Sequence, residues 1–144
     1  MFVQQSAALE QPVHDVLRSF ERDVIPRVPE LVDDVRWPEV EGSDRAAEPP
    51  PVPATVAPPR TREHGHVYAI SWPASRGVGR PDVDLDLEIS ALAPGTTHLQ
   101  LAGVIRLPWH ERWSYAERAA ERRCAVEIAG LLAVVVDQLV MTAP

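Results

Sequence analysis

The sequence predicts an α+β domain: a curved antiparallel sheet packed on a long C-terminal helix, with short N-terminal helices and a Pro-rich loop. Three observations carry that expectation. Between His66 and Ile105 apolar residues recur at every second position in three successive runs. From Ser114 to Val140 they recur at intervals of three and four. Six of the 15 prolines crowd between Pro49 and Pro59, where neither rhythm survives. The 144 residues, 45% hydrophobic and 24% charged, suit one domain with a real core, 1–144, and leave no room for a second of ordinary size.

Taken in order, Phe2 to Leu9 is weakly strand-like. Pro12 then stands where a first-turn proline belongs, ahead of Val13, Val16, Leu17, Phe20 and Val24, which share one helical stripe. Pro26 and Pro29 are expected to stop this helix and to permit only a short second one through Leu31 and Val35 before Pro38. The stretch 39–62 holds Gly42-Ser43-Asp44 and Pro49-Pro50-Pro51-Val52-Pro53 but almost nothing large and apolar, which predicts an extended, partly disordered loop. Proline cannot donate within a sheet, so Pro49 to Pro59 cannot supply central strands. At most Val35 to Val40 adds one, for a sheet of four or five.

Beyond the loop the period becomes two. His66, Tyr68, Ile70 and Trp72 alternate with Val67, Ala69 and Ser71, and Ser75 to Pro81 supplies a Gly-containing connection. Asp82-Val83-Asp84-Leu85-Asp86-Leu87-Glu88-Ile89 alternates carboxylate and aliphatic at every step, so one face is solvated and the other buried. Ala93-Pro94-Gly95-Thr96 reads as a tight turn, after which Thr97, Leu99, Leu101, Gly103 and Ile105 point inward. Together these strands predict an antiparallel meander.

Ser114-Tyr115-Ala116-Glu117 has the form of a capping box, in which the hydroxyl accepts from the third helical amide and the carboxylate reaches back. From there Ala120, Cys124, Ile128, Leu131, Val135 and Leu139 mark about 26 residues of one helix, roughly 39 Å long. Its segment Ile128 to Val136 carries no polar residue on any face. A helix apolar all round must be covered on more than one side, here by the first helices or by a second subunit.

Composition excludes several classes of chemistry. All 14 basic residues are Arg, so no lysine is available for a Schiff base, a P-loop or general-base work. A formal net charge of -7, with Arg scattered among 21 carboxylates, argues against nucleic acid, which needs a clustered positive field. The single Cys124 rules out an internal disulfide and a multi-Cys zinc site, and a reducing, cytoplasmic setting is expected. The start, Met1-Phe2-Val3-Gln4-Gln5-Ser6, lacks the basic and apolar regions of a signal peptide. Ile128 to Val136 falls well short of the roughly 20 residues of a spanning helix, so no transmembrane segment is expected.

The order of strand, proline-entered helical pair, meander and long closing helix resembles the START-like (SRPBCC, polyketide cyclase/dehydrase-like) superfamily and its helix-grip fold, in particular its small actinobacterial-type members. Val3 to Phe20 resembles the first strand and helix. Val67 to Trp72 and Asp82 to Pro108 resemble the last three strands, with their T-x-L-x-L-x-G rhythm, and Ser114 to Leu139 is similar to the closing helix. About half to two-thirds of the chain is covered by this likeness. Relatives place two or three more strands where this chain has its Pro-rich stretch.

Few residues point to chemistry by themselves. His64-Gly65-His66 sets two imidazoles at a strand start, with Glu63 and His98 as conceivable further ligands, but no second spaced ligand pair accompanies them and solvated histidines are the simpler reading. His110-Glu111 lacks the second histidine of a zincin helix, because position 114 is Ser. Gly77 and Gly79 have no phosphate-loop context, and Cys124 sits mid-helix on the expected core face, where a small buried hydrophobe suits better than a nucleophile. In the row Asp82, Asp84, Asp86 and Glu88, neighbours stand about 6.6 to 7 Å apart, too far to share one small cation. Arg123 and Glu127 are spaced as an ion pair along the edge of the helical stripe.

The resemblance implies a noncatalytic domain that binds or carries a hydrophobic small molecule or lipid between sheet and C-terminal helix. Tyr68, Ile70, Trp72, Leu85, Leu87, Leu99, Leu101, Cys124, Glu127 and Leu131 would line the space, and Trp109 and Trp113 would flank its entrance. One alternative is an aromatase/cyclase acting on a polyketide, with Glu127, Arg106 or Tyr68 steering enolisation. The other is a cavity-less interaction module that forms a homodimer through Ile128 to Val136. A continuous apolar cavity of roughly 300 Å³ or more favours the first reading, and a filled core with that helix paired across a two-fold favours the last. No cofactor or metal is implied.

Overall fold

A computed structural model describes residues 1–35, 53–74, 81–106 and 115–143. Strand β1 (Phe2–Leu9) leads into helix α1 (Val13–Ser19), a wide π turn (Phe20–Val24), a tight 3₁₀ turn (Ile25–Arg27) and helix α2 (Val28–Asp33). Strands β2 (Thr55–Val56), β3 (Arg60–Arg62), β4 (Gly65–Trp72), β5 (Asp82–Ala93) and β6 (Thr96–Arg106) follow, then helix α3 (Tyr115–Met141). The architecture is the expected α+β one, a curved antiparallel sheet against a long closing helix.

The strands among the described residues form one antiparallel sheet in the order β1-β6-β5-β4-β2, with β3 also pairing with β4. Cross-strand partners place His66, Tyr68, Ile70 and Trp72 of β4 beside Ile89, Leu87, Leu85 and Val83 of β5, so the inward rows coincide. The next row continues through Leu99, Leu101 and Ile105 of β6. On the other face Asp84 and Asp86 are exposed, and Arg106 reaches Asp84 at 2.8 Å and Asp82 at 3.2 Å while Arg60 meets Asp86 at 3.2 Å. Gly103 is required where β6 crosses β5, because a Cβ there would run into the Asp84 carbonyl oxygen.

As expected, the first helix gives way ahead of Pro26 and a short second helix through Leu31 follows. The chain passes from α1 through the π and 3₁₀ turns into α2, with Pro29 in the first turn of α2, where its missing N–H is tolerated. One expectation needs correction. The sheet is larger than the expected four or five strands, because the end of the Pro-rich stretch contributes β2 and β3. Both pair with the free edge of β4, where proline is permitted. Between them Ala57, Pro58 and Pro59 stand against Tyr68 and Ala69 alone, so the pairing register advances by one residue as at a bulge. The possible strand over 36–40, the loop over 39–52, the connection over 75–80 and the Ser114 cap lie outside the described residues.

One apolar core joins the layers. Val16, Phe20, Val24, Val28, Leu31 and Val32 descend from the N-terminal helical segment, and Cys124, Ile128, Leu131, Leu132, Val135 and Leu139 descend from α3. Both sets close on the inward face of the sheet. The 27-residue α3 is longer than the apolar run that marked it, and Glu121–Met141 has the length and mean hydropathy (2.0) of a spanning helix. Its inner side chains nonetheless complete the core, so lifting α3 away would uncover the sheet.

Candidate functional site

Among the described residues, the space between sheet and α3 is a seam where three walls meet; a larger, more open hollow of about 270 Å³ lies apart from it, beside Asp15, Arg18, Arg22 and Thr142. Ile70, Leu87 and Leu101 rise from the sheet, Leu131, Leu132 and Val135 face them from α3, and Phe20, Val28, Leu31 and Val32 close the side from the N-terminal segment. Every lining residue is aliphatic or aromatic. The cavity measures about 20 Å³, close to the volume of one water and far below the roughly 300–1,000 Å³ typical of small-molecule pockets. Of the ten residues expected to line it, Ile70, Leu87, Leu101 and Leu131 do so.

The other expected lining residues fall around the seam. Tyr68, Trp72, Leu85, Leu99 and Cys124 are buried in the surrounding core. Glu127 is half-buried on α3 and does not line the space. Arg106, one of the groups expected to steer enolisation, lies on the opposite face of the sheet with Asp82 and Asp84. Its outward position in β6 follows from strict alternation after Ile105. Trp109 and Trp113 lie outside the described residues.

Phe20, Val28, Leu31 and Val32 were not among the expected lining residues, although the first helices were one of two expected covers for α3. Their helical stripe is visible, and past α1 the backbone changes pitch yet keeps its apolar side on the sheet. The π turn brings Phe20 onto Tyr68, ring centroids 4.7 Å apart, and lets the Tyr68 hydroxyl donate to Glu21 Oε1 at 2.8 Å. Burial, reinforced by this carboxylate, holds the Tyr68 phenol above its ordinary range. Burial likewise raises the Cys124 thiol to about 11, with Glu121 and Glu127 adding to the effect, so the group is an unreactive thiol at neutral pH.

The histidine pair does not form a site. His64 lies in the turn between β3 and β4 with its side chain in solvent, whereas His66 is the first inward position of β4, its ring 6.3 Å from Tyr68. Among the described residues no group of three or more His, Cys, Asp or Glu is placed to hold a metal ion.

No family model matches the chain, and no curated protein matches it by sequence. Its fold matches solved structures. TTHA0849 from Thermus thermophilus superposes with a TM-score of 0.60 over 100% of both chains at 11% identity. A START superfamily protein from Mycobacterium smegmatis gives 0.49 at 14% identity, over 96% of this chain and 98% of that one. The lipid transfer and protein localization domain of human StarD13 gives 0.47 at 20% identity, over 90% and 74%. At such identities the likeness is one of fold. With its sheet order, its helical segment after the first strand and its long closing helix, the chain shares with TTHA0849 one fold, an α+β helix-grip arrangement.

Proposed function

We propose that the chain acts as a single cytoplasmic domain that binds a hydrophobic small molecule or lipid in the seam between sheet and α3. The observation that carries this reading is a seam lined wholly by apolar side chains and closed on one side by a helical segment of irregular pitch. A void of about 20 Å³ holds no ligand as it stands, so binding requires that wall to move outward, with Phe20, Leu31 and Val32 giving up their places on the sheet. The wall suits that motion, because π and 3₁₀ turns hold their hydrogen bonds in poorer geometry than an α-helix. Tyr68 and Glu21 join the π turn to β4 through one hydrogen bond, which opening would break.

The test is a fluorescence titration of the full chain with a dansylated fatty acid, paired with native mass spectrometry for retained lipid. Saturable binding is expected, and Val32→Leu, whose one added methylene suits a void of about 20 Å³, is expected to weaken it while the chain stays folded. Absence of saturable binding, or binding indifferent to Val32→Leu, overturns the reading.

A further inference from the structure

Helix α3 has a second apolar face that the described residues leave open, and its pattern is self-complementary. Ile128, Leu131, Leu132 and Val135 are spent on the core. The outward stripe runs Arg123, Val126, Gly130, Val134, Asp137, all exposed, with Val126 at 68% and Val134 at 41%. Its steps are three, four, four and three, the same read from either end, and at 100° per residue all five positions lie within about 40° of the Gly130 direction. A Cβ at Gly130 would meet nothing within 4 Å, so the centre of the stripe is open space.

We infer that two copies of this chain associate through α3 in an antiparallel, two-fold pair centred on Gly130. A two-fold interface sets residue i against j and j against i. With the axis at Gly130, Val126 of each copy meets Val134 of the other, and Arg123 of each meets Asp137 of the other. Apolar contacts thus flank the centre and two opposite-charge pairs bound them, while Gly130 allows the helices to approach closely. The interface uses the outer face of α3, not the Ile128 to Val136 run as a whole. A membrane surface fits the stripe less well. Interfacial helices favour basic flanks, Asp137 stands in line with the apolar residues, and a chain of net charge -7 is repelled by anionic lipid.

Sedimentation velocity of the full chain over a concentration series tests this, with phosphatidylcholine vesicles as a parallel arm. A monomer–dimer equilibrium is expected. Gly130→Leu, for which the monomer has room, is expected to remain monomeric with unchanged circular dichroism. Arg123→Asp and Asp137→Arg are each expected to weaken dimerisation by about tenfold or more. Mixing those two variants is expected to restore it as a heterodimer, because each altered charge then meets its opposite. A wild-type chain that stays monomeric overturns the inference, whether or not it binds vesicles. So does a dimer indifferent to both charge reversals, or a mixture no tighter than its components. If Gly130→Leu fails to fold, the charge variants decide. Ligand binding is independent of this contact and is titrated on the monomeric variant as well.

Discussion

Strand β5 and helix α3 carry comparable aliphatic runs and place them in opposite ways. In β5 every aliphatic side chain from Val83 to Ile89 is buried and the intervening Asp84 and Asp86 are exposed, so each residue type has one destination. In α3 the same chemistry is divided, with Ile128 and Leu139 fully buried and Val126 and Val140 more than half exposed. A strand sorts residues by parity and leaves no choice. A helix offers a full circle of directions, and a segment apolar on all of them takes its inner face from whatever it packs against. The exposed apolar residues on α3 are therefore surplus to the core and open to a contact outside it.

Substitutions can break or sharpen this contrast. The largest effect is expected at the sheet, where Gly103→Val forces a Cβ into the Asp84 carbonyl and costs about 4 kcal/mol or more, read from urea melts. On the inner face of α3, Ile128→Ala removes a fully buried side chain and is expected to cost about 2–5 kcal/mol. If it costs no more than an outer-face change, the division of α3 into two faces is wrong.

A smaller effect comes with alkaline pH. The folded chain holds the Cys124 proton to about 11, whereas an exposed thiol releases it at an ordinary 9.0, so the folded state binds more protons in this window. Stability therefore falls as pH rises from 9 towards 11, and the raised Tyr68 phenol acts in the same direction. Because the chain contains no lysine, one thiol and two tyrosines dominate the titration there. Denaturant melts across that range are expected to show the fall, and Cys124→Ala to flatten it. The smallest effect is expected at Val126→Ala, within about 0.5 kcal/mol in monomer stability, with its consequence confined to self-association.

Four of the ten residues that line the seam were legible. Ile70, Leu87 and Leu101 lie on strands whose alternation admits one inward face, and Leu131 lies on a stripe repeating at helical spacing, so each reaches the seam by local rule. The opposite wall was legible in part: the first helices were one of two expected covers for α3, but the turns of different pitch that bring Phe20, Val28 and Leu31 to the seam leave no local signal. The placing of β2 and β3 was not legible. Their short polar segments have no strand rhythm, and they pair because β4 presents an open edge next to them.

Local pattern was enough for the first strand and the helices after it, the meander with its solvated carboxylate face, the long closing helix and the inward side of each meander strand. These follow from periods of two and 3.6 and from residues within a few positions of one another. The tertiary structure alone decided that the N-terminal helical segment closes the seam down to about 20 Å³, and that one face of α3 is left over. Both depend on contacts between segments distant in the chain, where volume and the order of packing, not local periodicity, choose which apolar surface is covered.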